Sequence, residues 1–281
     1  MINYKELFPK KKYLLPYIQS YTYSSGILNE NKAKYITRAF PTIMTQVYFE
    51  FSGGLSELVI NEKKIDVKKR TYISCGLGSW MDIYQKASAQ KSRLVKNFKV
   101  ELYPHTLYEV FGISPLDMLN KDLNLEDIFG NTEASLLYEE LESTHSGEIM
   151  IDIFENYFTR KLLSNSVNRK NISPYFFQDY SNLNALSKDI GYSQRWIQKQ
   201  YLEVFGISFK NIQNNRRFLN VLENINTQIN QGEKKINFTD ITYNSNYFDQ
   251  AHFIKEFKKY TGLTPNIYLQ QKYKNSIDFF W

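Results

Sequence analysis

Residues 237–268 read NFTDITYNSNYFDQAHFIKEFKKYTGLTPNIY, and this pattern indicates how the second half of the chain folds. It predicts a short helix opening near Thr239, a sharp turn that ends at Asn246, and a second helix from about Phe248 to Tyr260. A tight turn between two helices needs a residue that tolerates positive φ, and Asn is the usual substitute for Gly there. Gly262 then ends the second helix, and the Thr-Pro pair that follows begins another.

The second predicted helix has one apolar face. Phe253, Phe257 and Tyr260 recur at helical spacing and therefore share a side. The side chains that fall off this side are Gln250, His252, Ile254, Lys255, Lys258 and Lys259. Most of them carry amide, imidazole or ammonium groups, which read base edges and phosphates in a major groove of DNA. The pattern predicts a helix-turn-helix whose second helix faces DNA.

The same stretch closely resembles the signature of the AraC/XylS family of transcription regulators. The matching residues are Asn246, Tyr247, Asp249, His252, Phe253, Phe257, Lys258, Gly262, Thr264, Pro265 and Tyr268. Two positions depart from the family pattern: Asn246 replaces the usual Gly, and Leu269 replaces a frequent Arg. The first change keeps the conformation accessible, whereas the second removes a basic group near the DNA. The resemblance implies a sequence-specific DNA-binding transcription regulator.

An earlier segment repeats this pattern. Residues 183–208 read LNALSKDIGYSQRWIQKQYLEVFGIS, a short helix, a turn at Gly191 and a second helix closed by Gly206. The closing glycines, Gly206 and Gly262, are 56 positions apart, whereas the turn residues Gly191 and Asn246 are 55 apart. The two copies therefore differ by one residue near the turn. A duplicated helix-turn-helix in one chain separates AraC-type regulators from most others.

A predicted helix from Ser208 to about Asn230 joins the two copies. Ser208 is a favourable N-cap, and Leu219, Leu222 and Ile225 belong to an apolar stripe along it. A helix of about twenty residues spans roughly 30 Å. Successive major grooves on one side of DNA are about 34 Å apart, so the connector would place two recognition helices in adjacent grooves. The stripe is equally expected of a core helix, and the two interpretations are compatible.

The recognition helices supply the candidate DNA contacts. The predicted base-reading residues are Arg195, Gln198 and Lys199 in the first copy and Gln250, His252 and Lys255 in the second. Arg and Lys suit guanine, and Gln suits adenine. The predicted phosphate contacts, which position the protein without specifying sequence, are Lys210, Arg216, Lys258 and Lys259. Families of this kind often use the position of His252 to support the turn, and Trp196 is a candidate for partial burial beside it.

The first half reads as strands followed by helices, an α+β arrangement. The predicted strands are Thr42–Phe51, Leu55–Ile60, Thr71–Cys75, Trp80–Gln85 and Leu94–Leu102, and the predicted helices are 104–111, 132–142 and 147–164. We expect an α+β regulatory domain over residues 1–165 and an all-α domain over residues 166–281, with a polar linker at 164–174. Residues 132–164 could pair with a second protomer or pack on the core of their own domain.

A less specific resemblance covers residues 103–130. They resemble the N-terminal domain of a subgroup of AraC-type regulators at Pro104, Phe111, Gly112, Leu116, Leu119, Leu125, Asp127, Phe129 and Gly130. This resemblance implies a regulatory domain. The leading hypothesis is that this half binds a signal or a second protomer and adjusts the DNA-binding half. The resemblances together imply double-stranded DNA as a partner, with RNA polymerase, a small-molecule effector and a homodimer as further candidates and no membrane.

Charge supports the same division of the chain. Residues 151–281 hold 17 Lys and Arg against 11 Asp and Glu, a net charge of +6, whereas residues 1–150 hold 18 of each and are neutral. The excess positive charge therefore lies in the half that carries the helix-turn-helix pattern, as expected of a polyanion-binding domain. An excess of this size can also arise by chance.

Other functional classes find little support in the sequence. The single cysteine, Cys75, excludes an internal disulfide, and the absence of a signal-like or membrane-length apolar run predicts a cytoplasmic protein. His105 and His145 lack further ligands at metal-binding spacing, and no phosphate-binding loop is present, so we expect no metal, no cofactor and no catalytic residue. We expect His105 at the surface or at a helix cap.

The sequence leaves open whether the chain has an aromatic effector pocket and whether it binds DNA or only other proteins. Phe49, Trp80 and Tyr84 are candidates for an effector pocket, because pockets favour aromatic side chains, but in such an aromatic-rich chain a core role is favoured over a pocket role. A protein-interaction adaptor that keeps the fold without binding DNA is the alternative function. A DNA-modifying enzyme is less well supported, since Cys75 lies in Ser-Cys-Gly and the chain has only three histidines.

Overall fold

The computed structural model describes residues 2–27, 35–52, 55–60, 63–65, 71–75, 80–85, 94–118, 125–164, 172–233, 236–273 and 278–280. Within these ranges, the N-terminal half is built of two sheets followed by helices, and the C-terminal half is helical up to a final strand. The expected order of an α+β domain followed by a helical domain with two helix-turn-helix motifs is confirmed.

The described strands form two five-stranded sheets. They are β1 (Ile2–Leu7), β2 (Ile18–Ile27), β3 (Tyr35–Ala39), β4 (Thr45–Ser52), β5 (Leu55–Ile60), β6 (Lys63–Ile65), β7 (Thr71–Cys75), β8 (Met81–Gln85), β9 (Leu94–Leu102) and β10 (Asp278–Phe280). The first sheet has the order β1-β2-β9-β4-β7, and the second has the order β10-β3-β8-β5-β6. The pairings are antiparallel except for β10 with β3, which is parallel.

The sequence predicted the middle strands well and missed the first three. β5, β7 and β9 have the predicted bounds, and β4 and β8 are each within a few residues of them. In β2, Ser20 and Ser24 are buried in the sheet. Because serine occupies positions where an apolar residue would give the two-residue period, the strand carries a weak pattern.

Helices follow the sheets. They are α1 (Thr106–Phe111), α2 (Pro115–Met118), α3 (Leu125–Phe129), α4 (Asn131–Glu142), α5 (Gly147–Ser164), α6 (Leu183–Ile190), α7 (Gln194–Phe205), α8 (Phe209–Asn230), α9 (Phe238–Asn244), α10 (Gln250–Thr261) and α11 (Pro265–Tyr273). A helix of the length and apolar character needed to cross a membrane does not occur among the described residues.

The first core joins the first sheet to helices α1, α3, α4 and α5. Phe154 of α5 is fully buried there, with its ring 6.1 Å from Tyr21, 6.3 Å from Phe49 and 6.4 Å from Phe98. The buried faces of α4 and α5 therefore serve the core of their own domain.

Each helix-turn-helix motif has a core of its own, and the N-terminal half contributes to both. The core of the first motif contains Ile43 and Tyr108, and the core of the second contains Phe40. The long helix α8 belongs to both cores, since Phe209 near its start packs in the first motif and Phe218 packs in the second. The apolar stripe of the connector is therefore core.

The predicted linker needs correction, and the two halves are also joined at the end of the chain. In the predicted linker, Ile172 is fully buried and Ser173 nearly so, because the chain enters the core of the first motif before Pro174; residues 165–171 lie outside the described ranges. The end of the chain returns to the N-terminal half, where β10 pairs with β3. The helical half is thus joined to the other half at both of its ends.

His105 is also placed differently from the expectation. It is only 3% exposed, and its imidazole Nε2 donates to the carbonyl oxygen of Pro16 at 2.9 Å. It occupies the N-cap position of α1 without making a side-chain capping bond. The rings of Tyr103 and Phe176 lie 6.0 and 6.1 Å away, so this histidine is a buried residue where the two halves meet.

Candidate nucleic-acid interface

The turn of the second motif is built as predicted. Asn246 has φ 57° and is the one residue other than glycine with positive φ in the described part of the chain. Three residues later, the Asp249 side chain caps α10 by accepting from the backbone N–H of His252 at 2.7 Å. Gly262 ends α10 in the left-handed conformation, with φ 72°. Because the cap supplies an acceptor that the helix start needs, α10 begins at Gln250 rather than at Phe248.

The first motif repeats this construction. Gly191 forms the turn with φ 74°, and the Ser193 hydroxyl accepts from the N–H of Trp196 at 3.3 Å. Gly206 ends α7 with φ 72°. Since α7 and α10 each have 12 residues between equivalent caps, they align with a constant offset of 56, and Phe248 is the one added residue.

The aligned helices bury equivalent sides. Ile197 and Tyr201 of α7 correspond to Phe253 and Phe257 of α10, and all four are buried. The predicted base-reading residues are all exposed; they are Arg195, Gln198, Lys199, Gln250, His252 and Lys255. Of the predicted phosphate contacts, Lys210, Lys258 and Lys259 are exposed as well. Two recognition helices therefore present polar and basic side chains away from the protein core.

His252 lies beside the turn. Its ring packs edge-on against Tyr247 at 5.4 Å, and its Nε2 is 3.9 Å from the carboxylate of Glu256. The aligned residue of the first motif, Trp196, stacks on Tyr192 at 4.1 Å. Both positions therefore support the turn from the side of the helix, which leaves His252 poorly placed for reading bases.

Arg216 is placed against its predicted role as a phosphate contact. Its guanidinium lies 4.8 Å from the centre of the Phe176 ring and donates to the carbonyl oxygen of Phe176. A second contact reaches the carbonyl of Gln178 at 3.4 Å. Burial lowers the pKa of this guanidinium. Because its donors are used inside the protein, Arg216 holds the segment before α6 instead of facing solvent.

The neighbouring Arg217 has a role that sequence reasoning missed. From α8 it forms an ion pair with Glu256 of α10 at 2.5 Å, and its guanidinium lies 4.3 Å from the centre of the Tyr247 ring. The Glu256 carboxylate is 8% exposed. This contact fixes the turn of the second motif to the connector helix. The sequence signal for this ion pair was Glu256, a glutamate at the edge of the apolar face of α10.

The N-terminal half packs against the C-terminal end of the first recognition helix, α7. Gly206, the C-cap of α7, lies so close to Pro115 that an added Cβ would be 2.8 Å from the proline Cβ. The Ser114 hydroxyl donates to the backbone oxygen of Glu203 at 2.7 Å, and the Tyr108 hydroxyl donates to the Glu203 side chain at 3.0 Å. At this end of α7, the N-terminal half therefore contributes neutral hydrogen-bond donors and the Pro115 ring, in addition to the side chains that it places in the core of the first motif.

Different side chains contact the C-terminal end of the second recognition helix, α10. An added Cβ on Gly262 would be 2.5 Å from the Trp80 ring. Arg38 donates to both carboxylate oxygens of Asp82, at 2.6 and 2.8 Å, and its Nη1 donates to the backbone oxygen of Thr261 at 3.1 Å. Trp80 stacks over the Arg38 guanidinium at 4.1 Å. A buried ion pair therefore meets the C-terminal end of α10.

One short segment joins these contacts. In the segment 38–43, Arg38 and Phe40 contact the second motif, and Ile43 lies in the core of the first. Between them, the carbonyl oxygen of Pro41 accepts from the Asn215 side chain of α8 at 3.1 Å. We call residues 38–43 the junction segment. A displacement of this segment would reach both motifs and the helix between them.

Two of the candidate effector-pocket residues, Phe49 and Trp80, lie in different cores. Phe49 is fully buried in the first core, whereas Trp80 packs against Arg38 and the second motif, and the side chain of Tyr84 lies outside what the structure describes. A cluster of metal-ligating side chains was not found among the described residues.

Residues 186–271 match the family described as a helix-turn-helix domain. The match covers both motifs and the helix that joins them. This part of the chain is a helix-turn-helix domain of the AraC type. It is the domain of a DNA-binding transcription regulator. None of the curated proteins compared with the chain matches it significantly.

Among solved structures, the chain is similar to ToxT from Vibrio cholerae, with 12% identity over 96% of this chain and 97% of that one, at a TM-score of 0.40. ToxT bound to (E)-4-(8-methylnaphthalen-1-yl)but-3-enoic acid gives 13% identity over 96% and 98% of the chains, at a TM-score of 0.41. A cupin domain of an XRE family transcriptional regulator from Enterobacter cloacae matches 37% of this chain and 97% of its own, with 18% identity and a TM-score of 0.26. At these scores, no residue role or ligand is transferred to this chain.

Proposed function

We propose that the protein is a sequence-specific DNA-binding transcription regulator that uses both motifs of its AraC-type domain. One observation supports this most directly: two equally built recognition helices each expose the side opposite their buried aromatic residues. A duplicated, exposed and basic helix face is what binding to two segments of duplex DNA requires.

The spacing of the motifs fits this function. The connector α8 has 22 residues, which gives it a length of about 33 Å. Successive major grooves on one side of the duplex are about 34 Å apart. The helix is capped by Ser208, whose hydroxyl accepts from the N–H of Asn211 at 3.2 Å, and is buried in both motif cores. A rigid connector of this length suits recognition of adjacent major grooves.

We assign different roles to the exposed side chains. Arg195, Gln198 and Lys199 of α7 read base edges, because they lie in the first turns of the helix, where recognition helices approach the bases. Lys255 and Gln250 occupy the corresponding part of α10. Lys210, Lys258 and Lys259 contact phosphates and set the orientation of the protein on the duplex.

The N-terminal domain modulates DNA binding through the junction segment. Arg38, Phe40 and Ile43 contact the ends or cores of both motifs, so the relative orientation of the recognition helices depends on how the first domain is arranged. A small-molecule effector that binds the N-terminal domain would act along this route. Pairing with a second protomer and contact with RNA polymerase stay predictions of the family resemblance.

DNA binding is tested by selecting bound fragments from genomic DNA with the full-length protein and measuring affinity for them by fluorescence anisotropy. The affinity should fall steeply with salt, and Lys258→Ala should reduce the slope of log K against log salt by about 1. Arg195→Ala should relax the preference at one base position. Binding that is independent of salt, or a selection that recovers no common sequence, would overturn the proposal.

Modulation is tested on the selected fragment. The double variant Arg38→Met, Asp82→Leu replaces the buried ion pair by apolar side chains and should change DNA affinity, since it alters the contact with Thr261. The double variant Lys5→Ala, Glu148→Ala removes an exposed ion pair of the N-terminal domain far along the chain from the junction, and its affinity should equal that of the wild type. Equal affinities for all three proteins would contradict modulation through the junction segment.

A further inference from the structure

The two recognition helices differ in chemistry at equivalent positions. With the offset of 56, Arg195 of α7 aligns with Ala251 of α10, and Gln198 aligns with Ile254. Both positions lie on the exposed side of their helix in both motifs. The first motif therefore offers hydrogen-bond donors and acceptors where the second offers methyl groups.

The residue added in the second motif strengthens this difference. Phe248 precedes the Asp249 cap of α10 and is 88% exposed, more than any other large hydrophobic side chain in the described part of the chain. Ile254 is 38% exposed on the same helix. Phe248 contributes to none of the three cores, and an exposed phenyl ring loses the stabilisation that burial would give it. At the start of α10, this side chain is available for burial against a bound partner.

The charge of α10 indicates what binds the surface formed by Phe248, Ala251 and Ile254. Lys255, Lys258 and Lys259 of the same helix are exposed as well. Ammonium groups around an apolar centre suit a polyanion that also displays apolar groups. In the major groove of DNA, the apolar group is the 5-methyl of thymine, and Ala and Phe side chains are among those that contact it.

We propose that the second motif reads thymine through its 5-methyl groups, with Phe248, Ala251 and Ile254 as the contacting side chains. The first motif reads its half-site by hydrogen bonds from Arg195 and Gln198. This inference rests on the proposed DNA-binding function and adds the base class that each half-site must contain. The half-site of the second motif should contain A·T pairs whose thymine methyl groups face α10, whereas binding to the half-site of the first motif should not depend on thymine methyl groups.

The experiment replaces thymine by deoxyuracil, which removes the methyl group and keeps every hydrogen-bonding group of the base. The Arg195→Ala variant first shows which half-site belongs to which motif. The base position at which its preference is relaxed lies in the half-site of the first motif. Replacement in the other half-site should then weaken binding of the full-length protein by about fourfold for each contacted methyl. The same replacement in the first half-site should leave the affinity unchanged.

Matched variants connect the effect to the side chains. Ile254→Ala should weaken binding to the thymine fragment and reduce its sensitivity to deoxyuracil. Leu202→Ala removes a side chain that is 40% exposed on α7, close to the 38% of Ile254, and should keep the full sensitivity. Both positions are exposed, and circular dichroism should show that both variants keep the helix content of the wild type.

Three results would overturn the proposal. Deoxyuracil throughout the second half-site could leave the affinity unchanged, Ile254→Ala could keep the full deoxyuracil effect, or the selected second half-sites could lack thymine. The first of these, together with strong binding, would mean that Phe248, Ala251 and Ile254 do not contact thymine methyl groups. A chain that binds no DNA would refute the proposed function itself, whereas salt-dependent binding without a methyl effect would refute this inference alone.

Discussion

The two helix-turn-helix motifs have the same internal construction but are held by the N-terminal domain in different ways. The first is closed by Pro115 and by hydroxyl groups that donate to Glu203. The second is closed by Trp80 and by the buried pair of Arg38 and Asp82. The helices and their caps are alike in the two motifs, whereas the contacts with the N-terminal domain use different side chains.

The difference has an energetic consequence. Removing a hydroxyl donor that bonds a partly exposed group costs little, whereas leaving one member of a buried ion pair without the other is strongly destabilising. The second motif is further tied to α8 by the Arg217–Glu256 pair. We therefore expect the orientation of the second motif to depend on a few charged groups, and that of the first to be spread over weaker contacts.

The largest expected effect comes from the ion pair. Arg38→Ala should lower stability by about 3–5 kcal/mol, because the Asp82 carboxylate stays buried without its partner and the Thr261 carbonyl loses a donor. Tyr108→Phe, which removes a hydroxyl contact of the first motif, should cost about 1 kcal/mol or less. Chemical denaturation compares the two variants, and hydrogen exchange should show increased opening of α10 in the first only. Equal losses would mean that both motifs are held alike.

Arg38→Met combined with Asp82→Leu serves as the control for this prediction. It removes both charges together and should recover most of the stability that Arg38→Ala loses. A double variant as unstable as the single one would assign the effect to lost packing.

The glycines that end or turn the helices give the second largest effect. Gly262→Ala should cost about 2–4 kcal/mol, since the residue has positive φ and its Cβ would collide with the Trp80 ring. Gly191→Ala has nearly the same φ with open space around it, so it should cost only about 1–2 kcal/mol of backbone strain. Thermal or chemical denaturation measures both. Equal costs would show that Trp80 moves aside, and the second motif would then be less tightly held than described.

The helix caps should give a smaller difference. The Asp249 carboxylate accepts a hydrogen bond of 2.7 Å at the start of α10, whereas the Ser193 hydroxyl accepts one of 3.3 Å at the start of α7. Asp249→Ala should therefore cost about 1–2 kcal/mol and Ser193→Ala about 0.5–1 kcal/mol. Asp249→Ser is the matched control and should fall between the wild type and the alanine variant. The reverse order of the two alanine variants would be inconsistent with charge-assisted capping.

The smallest expected effect is a dependence on pH that belongs to the first motif. His105 lies 6.4 Å from the ring of Phe205 at the end of α7, and burial lowers its pKa below the ordinary 6.5. Between the folded pKa and 6.5, His105 therefore binds a proton in the unfolded chain but not in the folded protein. Stability should fall as the pH drops from 6.5 towards the lower folded pKa.

A non-titrating side chain isolates this effect. His105→Gln can still donate to the Pro16 carbonyl and should show a flatter stability profile below pH 6.5. Hydrogen exchange at acid pH should increase in α7 before it increases in α10. The same slope in both proteins would assign the acid sensitivity to other groups.

Much of this architecture could be predicted from sequence. The turn at Asn246, the caps at Ser208 and Gly262 and the bounds of α7 follow from local conformational preferences, which act within a few residues. The strand β2 was missed because its buried serines weaken the two-residue period. The strand β10 was missed because three residues carry almost no pattern without their partner strand.

The candidate site divides in the same way. Exposure of Arg195, Gln198, Lys199 and Lys255 follows from helical periodicity, since each lies opposite a regularly spaced apolar face. Arg216 was predicted to contact phosphate, yet its guanidinium donates to carbonyl groups far away in sequence. Periodicity shows which side of a helix is polar, but it does not show which polar groups are used inside the protein.

The sequence alone determined that this chain carries two capped helix-turn-helix motifs joined by a long helix, because caps, turns and apolar faces depend on neighbouring residues. Only the tertiary structure decided which side chains contact the C-terminal ends of α7 and α10 and how the first domain contacts both motifs. Arg38, Asp82 and Thr261 are distant in the chain, and they become partners only when two sheets and a helix end bury them together. A buried ion pair gains its strength from that shared exclusion of water, which no local pattern records.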